Sequence, residues 1–457
     1  MKLTILGGGG VRALMLAKSL SHQAKVLGIS ELVFMDIDEE KLRVFGGMAR
    51  EVGKRLNADV KITLTSNAED AIRDADFVIT TIRVGGDVPR TKDERIAIAH
   101  GLIGQETTGA GGFAMAMRSI PVLADYCEMV KKLAKPGAMV FNFTNPAGLV
   151  TQAMRNLGYD FVYGICDAPS GVLRQLVKHV GGTLENCRMD VFGLNHLSYF
   201  GNFLKDGKDI TKDLIADKSI YAQTDLRYFE PELLEHVGLL MNEYLYYFYY
   251  REKAERNLAV TEKTRGESIV EFNRDMLKEL THMDPEREFD AMLRIYSDFN
   301  HRREASYMAT ETSVVRDEGA VPLYDIYTPD EGGYAGIAMA FIKAKIEQKQ
   351  SEMVLCVPNN GTVDWLEDDD VVETSCYIGP EGAFPKKMTL ALPESAKNLI
   401  RTMKLYERNA VRAILAKDRD LAVDALMVHP LINSYSLAKA LVDEYLEAHK
   451  DFVGAWN

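Results

Sequence analysis

Cysteine is scarce and never paired: the five residues Cys127, Cys166, Cys187, Cys356 and Cys376 form no C-x-x-C motif. An odd, scattered set excludes a disulfide scaffold and fits reduced thiols. Positive charge is short as well. With 54 Lys and Arg against 67 Asp and Glu, the chain carries a formal charge of −13. It therefore has no general attraction for nucleic acid or anionic lipid, and an anionic ligand must be met by a local cluster of positive groups. Long apolar runs are missing too. No stretch approaches the roughly 18 residues of a spanning helix, and Leu3 to Leu6 is too short for the core of a signal peptide. A soluble, cytoplasmic protein with no nucleic-acid and no membrane partner is expected.

What is present is an ordinary globular composition, 47% hydrophobic and 26% charged, arranged as alternating strands and helices. Leu3 to Leu6, Glu31 to Asp36, Val60 to Leu64, Phe77 to Thr81, Met139 to Phe143 and Phe161 to Ile165 read as short apolar strands with helices between several of them. Such strands imply a parallel sheet buried on both faces. The expected fold class is α/β: a Rossmann-like doubly wound domain over residues 1–165 and a second, α+β domain over 166–457. In the second part a hairpin (Asp190 to Ile210) leads to helix-rich sequence (Glu230 to Met308), a β-containing piece (Val354 to Phe384) and a helical C-terminus (Pro393 to His449). The stretch Arg83 to Gly112 holds seven glycines and shows no clear period. It reads as an active-site loop beyond the carboxyl end of a strand, where such folds bind ligands.

Leu6-Gly7-Gly8-Gly9-Gly10-Val11-Arg12 stands between the first strand and the first helix, where a tight turn and close approach to a pyrophosphate call for residues without Cβ. Gly7 and Gly9 fill the first two glycine places of G-x-G-x-x-G, and Arg12 occupies the third. Asp36, 26 residues after Gly10 at the end of the second strand, would set a carboxylate near the adenosine ribose and repel a 2′-phosphate, so NAD is favoured over NADP. A plain turn with a solvent-facing Asp is the alternative.

Four polar motifs follow: Arg90-Thr91-Lys92-Asp93-Glu94, Gly104-Gln105-Glu106-Thr107-Thr108-Gly109, Asn142-Phe143-Thr144-Asn145-Pro146 and Cys166-Asp167, with Gly193-Leu194-Asn195-His196-Leu197-Ser198 after them. Three lie next to expected carboxyl ends of strands, so one crevice could gather them. Taken singly, Cys166 reads as a core thiol, His196 as a structural histidine, Arg90 as a surface charge and Asn145 as a backbone partner ahead of Pro146. Glu243-Tyr244-Leu245-Tyr246-Tyr247 reads as an aromatic helix stripe in which Tyr244, Tyr247 and Phe248 share a face.

Together these motifs resemble glycoside hydrolase family four, the NAD- and manganese-dependent glycosidases that include 6-phospho-β- and 6-phospho-α-glucosidases. The likeness runs from the glycine turn through His100 to Gly109 and His196, and returns at Tyr244 to Tyr250 and at Val357-Pro358-Asn359-Asn360-Gly361. The family departs from two-carboxylate glycosidase chemistry. The resemblance implies oxidation of the sugar at C3, removal of the acidified C2 proton, elimination at C1, addition of water and return of the hydride.

On the same basis Cys166 and His196 are metal ligands for Mn²⁺, Tyr244 is the base with Tyr247 in reserve, and Arg90 and Asn145 contact substrate. Gly7, Gly8, Gly9, Gly10, Val11, Arg12 and Asp36 bind the nucleotide. Asp167 suits a general acid toward the leaving oxygen; an Asp after the cysteine resembles the α-type members, whereas the Gly104 to Gly112 and Phe141 to Pro146 segments resemble the β-type. Arg302 and Arg303 are candidates for the 6-phosphate, a solvated helix end being the other reading. The expected activity is hydrolysis of a phosphorylated disaccharide or glycoside, a 6-phospho-β-glucoside first, with a 6-phospho-α-glucosidase, a galacturonidase or a non-catalytic NAD sensor as alternatives. The resemblance also implies a lactate and malate dehydrogenase-like architecture in which residues 166–457 form the substrate, metal-binding and oligomerisation domain of a homodimer or homotetramer.

Overall fold

Alternation of side chains sorts the first six strands onto two buried faces. In the computed structural model, which describes residues 1–56, 59–316, 321–329, 335–379 and 381–457, these are β1 (Lys2–Leu6), β2 (Glu31–Met35), β3 (Lys61–Thr65), β4 (Phe77–Thr80), β5 (Met139–Asn142) and β6 (Val162–Gly164). They pair in parallel in the order β3-β2-β1-β4-β5-β6, the doubly wound order. Leu3, Ile5, Phe34, Ile79 and Phe141 meet helices Ala13–Leu27 and Gly336–Glu347 on one face. Leu6, Val33, Val78 and Val140 belong to the core on the other, with helices Gly109–Leu133 and Ala147–Asn156.

The sheet does not stop at residue 165. The later strands β7 (Cys187–Leu194), β8 (Leu197–Lys205), β9 (Lys208–Asp209), β10 (Leu240–Met241), β11 (Ser351–Pro358), β12 (Val371–Gly379) and β13 (Gly382–Pro385) extend it in antiparallel fashion. The junction is β6 with β11, where Cys356 stands opposite Gly164. Only a glycine fits there: a Cβ on Gly164 would lie 2.6 Å from that of Cys356. From β11 the order runs through β12 and β7 to β8. No helix among the described residues is long and apolar enough to cross a membrane.

The segment Arg83 to Gly112 is not an irregular loop. Its middle is a helix, Val88–Ala99, and its end opens the helix Gly109–Leu133. The inward face of Val88–Ala99 is Arg90, Asp93, Glu94 and Ala97, all buried, at the i, i+3, i+4, i+7 spacing of a core stripe. Three of those four positions are charged, so the apolar period that marks a helix is absent. Arg118 pairs with Asp93 at 2.6 Å and His449 Nε2 lies 2.6 Å from the same carboxylate.

Candidate active site

The glycine run is fixed by what surrounds it. Gly7 and Gly8 both donate their N–H to the Met35 carbonyl, at 2.9 and 2.8 Å. A Cβ at Gly7, where φ is +96°, would lie 2.6 Å from the Thr81 carbonyl oxygen, and one at Gly8 2.7 Å from the Phe34 Cβ. Gly9 N–H donates to the Asp36 carboxylate at 2.9 Å, so Asp36 sits at this turn. Arg12 occupies the N-cap of helix Ala13–Leu27, and no side chain caps that end. Its first-turn amides and dipole thus suit a pyrophosphate.

Beside this turn is a cavity of about 370 Å³ whose lining includes Val11 and Arg12. The same cavity is lined by Arg90, Asn145, Cys166, Asp167, His196, Tyr244, Tyr247 and Arg303. Gly7 to Gly10 and Asp36 are not among its lining residues. A larger cavity, about 820 Å³, lies against another face of helix Ala168–His179, at Ser170 and Leu173, and shares only Cys166 and Arg174 with the first. The imidazole and the phenols border the smaller one.

Cys166 follows β6, and His196 lies in the turn joining β7 to β8. The His196 backbone is left-handed, with φ +61°. Its Nδ1 is 3.0 Å from the Thr107 hydroxyl, and Gln105 Oε1 accepts the N–H groups of Thr107 and Thr108. Burial holds the imidazole down at about 4, so it is neutral near pH 7 and Nε2 remains for a ligand. The Tyr244 ring stacks on it at 3.9 Å between centroids, with an interplanar angle of 5°.

Burial, Glu373 and Asp167 push the Cys166 thiol well above its usual range. A cation is what would make it a thiolate. A neutral imidazole and a half-buried thiol therefore fit a divalent metal with open positions, although among the described residues no three His, Cys, Asp or Glu side chains converge as a metal-holding group.

Tyr244 sits in a 3₁₀ turn, Glu243–Leu245, and Tyr247 in the short helix Tyr246–Tyr249. The expected common face is not formed: Tyr244 and Tyr247 line the cavity, while Phe248 lies beside His429. The Tyr307 hydroxyl donates to Glu243 at 3.1 Å and is a hydrogen-bond neighbour of Tyr244. Burial, with Asp225 nearby, lifts the Glu243 carboxyl to about 7. It also raises the Tyr244 phenol, with Glu243 adding to the effect.

Arg90 is no surface charge. It is buried and bonded to Glu94 at 2.7 Å and to Glu106 at 2.9 Å, and Glu106 also holds Arg83 at 2.6 Å. Asp167 is solvent-exposed at the N-cap of Ala168–His179 and makes no side-chain cap bond. Arg302 points away from the cavity and pairs with Asp298 at 2.7 Å. Arg303 is different: burial and the neighbouring Arg12 and Arg265 lower it to about 10, and among the described residues no hydrogen bond or ion pair is made by its guanidinium.

Glu106, Glu243, Tyr307 and Arg265 also border the cavity and were given no role by the sequence. The signals open to a reader were the proximity of Glu243 to Tyr244 and of Tyr307 to Arg303; Arg265 carries none.

A doubly wound parallel sheet opening onto a cavity with a thiol, a neutral imidazole, a phenol stacked on that imidazole and an arginine cluster defines an α/β enzyme built on a dehydrogenase plan. The likeness to a lactate dehydrogenase, with a TM-score of 0.52 at 14% identity over 91% of this chain and 98% of the other, concerns the fold alone.

The chain belongs to family 4 of the glycosyl hydrolases: the family model matches residues 2–182 and the model of the family's C-terminal domain matches 191–432. It is 29% identical to the 6-phospho-β-glucosidase BglT of Thermotoga maritima over 99% of both chains. It is 28% identical to 6-phospho-α-glucosidase 1 of Lacticaseibacillus paracasei over 98% of this chain and 97% of the other. The structure of the Thermotoga maritima 6-phospho-β-glucosidase with manganese, NAD⁺ and glucose-6-phosphate superposes with a TM-score of 0.81 at 27% identity, covering 99% of each chain.

Proposed function

We propose that the chain is a cytoplasmic, homo-oligomeric enzyme that hydrolyses 6-phospho-β-glucosides by redox-elimination with NAD and Mn²⁺. The observation that carries this reading is the convergence of Cys166, His196, Tyr244 and Arg303 on one cavity that is also lined by Val11 and Arg12 of the glycine turn. The likeness to the Thermotoga maritima enzyme supports the β-linked substrate.

When bound, the nucleotide would supply a reversible hydride sink for the sugar, and the cation a Lewis acid for its oxygens. Gly9, Gly10 and the first-turn amides of Ala13–Leu27 would hold the pyrophosphate, and Asp36 the ribose. Cys166 and His196 would hold the metal. Tyr244, stacked on His196, would take the C2 proton as its phenolate, its own proton having passed to solvent once the positive charge held at Cys166 and His196 offsets the burial that raises the phenol, and Asp167 gives a proton to the departing C1 oxygen. Arg90, oriented by Glu94 and Glu106, and Asn145 meet sugar hydroxyls. Arg303, beside Arg12 and Arg265, takes the 6-phosphate, which relieves the repulsion among these cations. Phe143 and Tyr247 line the cavity and limit access of water.

A second reading, a 6-phospho-α-glucoside as substrate, is favoured by one observation: Asp167 directly after Cys166, unencumbered by capping. Nitrophenyl 6-phospho-β- and α-glucosides, each with and without Mn²⁺ and NAD, decide between them. Release from the β-glucoside that needs both additions is expected; release from the α-glucoside alone selects the second reading, and no release from either refutes both. Product formed in deuterated water should carry deuterium at C2, and full retention of the original proton would eliminate the chemistry.

A further inference from the structure

A buried carboxylate outside the cavity lies between the two segments that carry Cys166 and His196. Glu373 is on β12 and is 1% exposed. Its position belongs to one row crossing five strands: Gly164 on β6 faces Cys356 on β11, Cys356 faces Glu373, Glu373 faces Gly193 on β7, and Gly193 faces Ser198 on β8. Cys166 is two residues beyond one end of that row. His196 sits in the turn at the other.

The side-chain bonds follow the same geometry. Glu373 Oε2 accepts from the Ser198 hydroxyl at 2.7 Å and Oε1 accepts from Asn195 Nδ2 at 3.1 Å. Asn195 and Ser198 bracket His196, whose left-handed backbone is costly for a residue with a side chain. Asn195 has no freedom to rearrange, because its Oδ1 accepts from the Gly148 N–H at 3.3 Å. Cys356 Sγ is 3.9 Å from Glu373 Oε1, and the carboxylate bears electrostatically on Cys166. Both oxygens of Glu373 are thus engaged, one by each of two side chains that flank His196.

We infer that Glu373 is a positioning residue: by clamping Asn195 and Ser198 it fixes the His196 turn at the distance from Cys166 that a shared divalent cation needs. This role rests on the metal assignment proposed above. Groups that orient metal ligands through hydrogen bonds typically change metal affinity by about 10–100-fold.

The test uses the full chain with NAD and the variants Ser198→Ala, Glu373→Ala and Glu373→Gln. Mn²⁺ affinity is read from the paramagnetic resonance signal of the free ion, beside NAD affinity from fluorescence. Ser198→Ala should weaken Mn²⁺ binding about 10-fold and Glu373→Ala up to about 100-fold, with NAD affinity held. Glu373→Gln should recover most of that loss, since the Ser198 hydroxyl can turn to accept from the amide while Asn195 still donates to its oxygen. Parental Mn²⁺ affinity in Ser198→Ala and Glu373→Ala overturns the inference, as does a parallel fall in NAD affinity, which would mark general disorder of the sheet. Should Glu373→Ala not fold, Ser198→Ala decides alone. A parent chain that takes up no Mn²⁺ instead removes the metal from the proposed function, and this role with it.

Discussion

Replacing Arg303 by methionine keeps a long stem and deletes the charge, so it separates binding from stability. Helix Phe289–Ala305 presents this guanidinium to the cavity beside Arg12 and Arg265, and its pKa falls from 12.5 to about 10. That displacement corresponds to about 3 kcal/mol, or about 2 once solvent reaching the cavity is allowed for. Without ligand, Arg303→Met should therefore be the more stable protein, with a melting midpoint higher by about 2–5 °C. A phosphate dianion reverses the balance. Charge-assisted bonds of about 1.5–3 kcal/mol each, two of them for a forked contact, give a loss of about 10²–10⁴ in kcat/KM on a 6-phospho-glucoside. The unphosphorylated glucoside should change little. Thermal unfolding of the ligand-free chain and paired assays on the two substrates check both halves. A variant that melts lower while keeping its preference for the phosphorylated substrate would refute the reasoning.

Three further outcomes follow from the same geometry. Cys166→Ser and His196→Ala should each abolish turnover through loss of Mn²⁺ while NAD binding, checked by fluorescence, stays near the parental value; full activity in either removes that ligand from the assignment. Glu243 is held at about 7 against an ordinary 4.5, so the folded chain binds its proton more tightly than the unfolded chain, and ionisation costs stability as pH rises from 4.5 through 7. Glu243→Gln should match the parent near pH 4 and exceed it by about 2–3 kcal/mol above pH 7 in urea unfolding, and a gap independent of pH would contradict this. Gly8→Ala places its Cβ against Phe34 at 2.7 Å, which should cost about 1–3 kcal/mol and weaken NAD measurably; unchanged melting would mean the turn has slack.

The strands of the parallel half were legible because each is an apolar run: the expected bounds fall within a residue or two of those observed, as with Phe77 to Thr81 against Phe77–Thr80. The glycine turn was legible for a related reason, since Gly7 and Gly8 have contacts that admit no side chain. Helix Val88–Ala99 escaped notice because its inner face is charged. Arg90, Asp93 and Glu94 are buried by partners such as Glu106, Arg118 and His449, the last 356 residues away in sequence, and periodicity cannot register that kind of burial. Glu373 was opaque for the same cause. Within Val371 to Cys376 nothing local distinguishes a carboxylate facing solvent from one that clamps Asn195, 178 positions earlier.

The cavity is assembled across a change of strand direction. Cys166 belongs to the parallel half, and His196 to the antiparallel extension; the halves meet where β6 pairs with β11 at Cys356 and Gly164. Side chains alternate between faces, so a slip of one residue between β11 and β12 would carry Glu373 to the opposite face of the sheet. The close approach of Gly164 and Cys356 opposes such a slip on one side, and the eight-residue register of β11 on β12 opposes it on the other. A larger residue at Gly164 should therefore act at a distance. Gly164→Ala, which touches no group that binds metal, is expected to lower Mn²⁺ affinity together with thermal stability. The same loss of stability with parental Mn²⁺ affinity would show that the sheet junction and the site are mechanically separate.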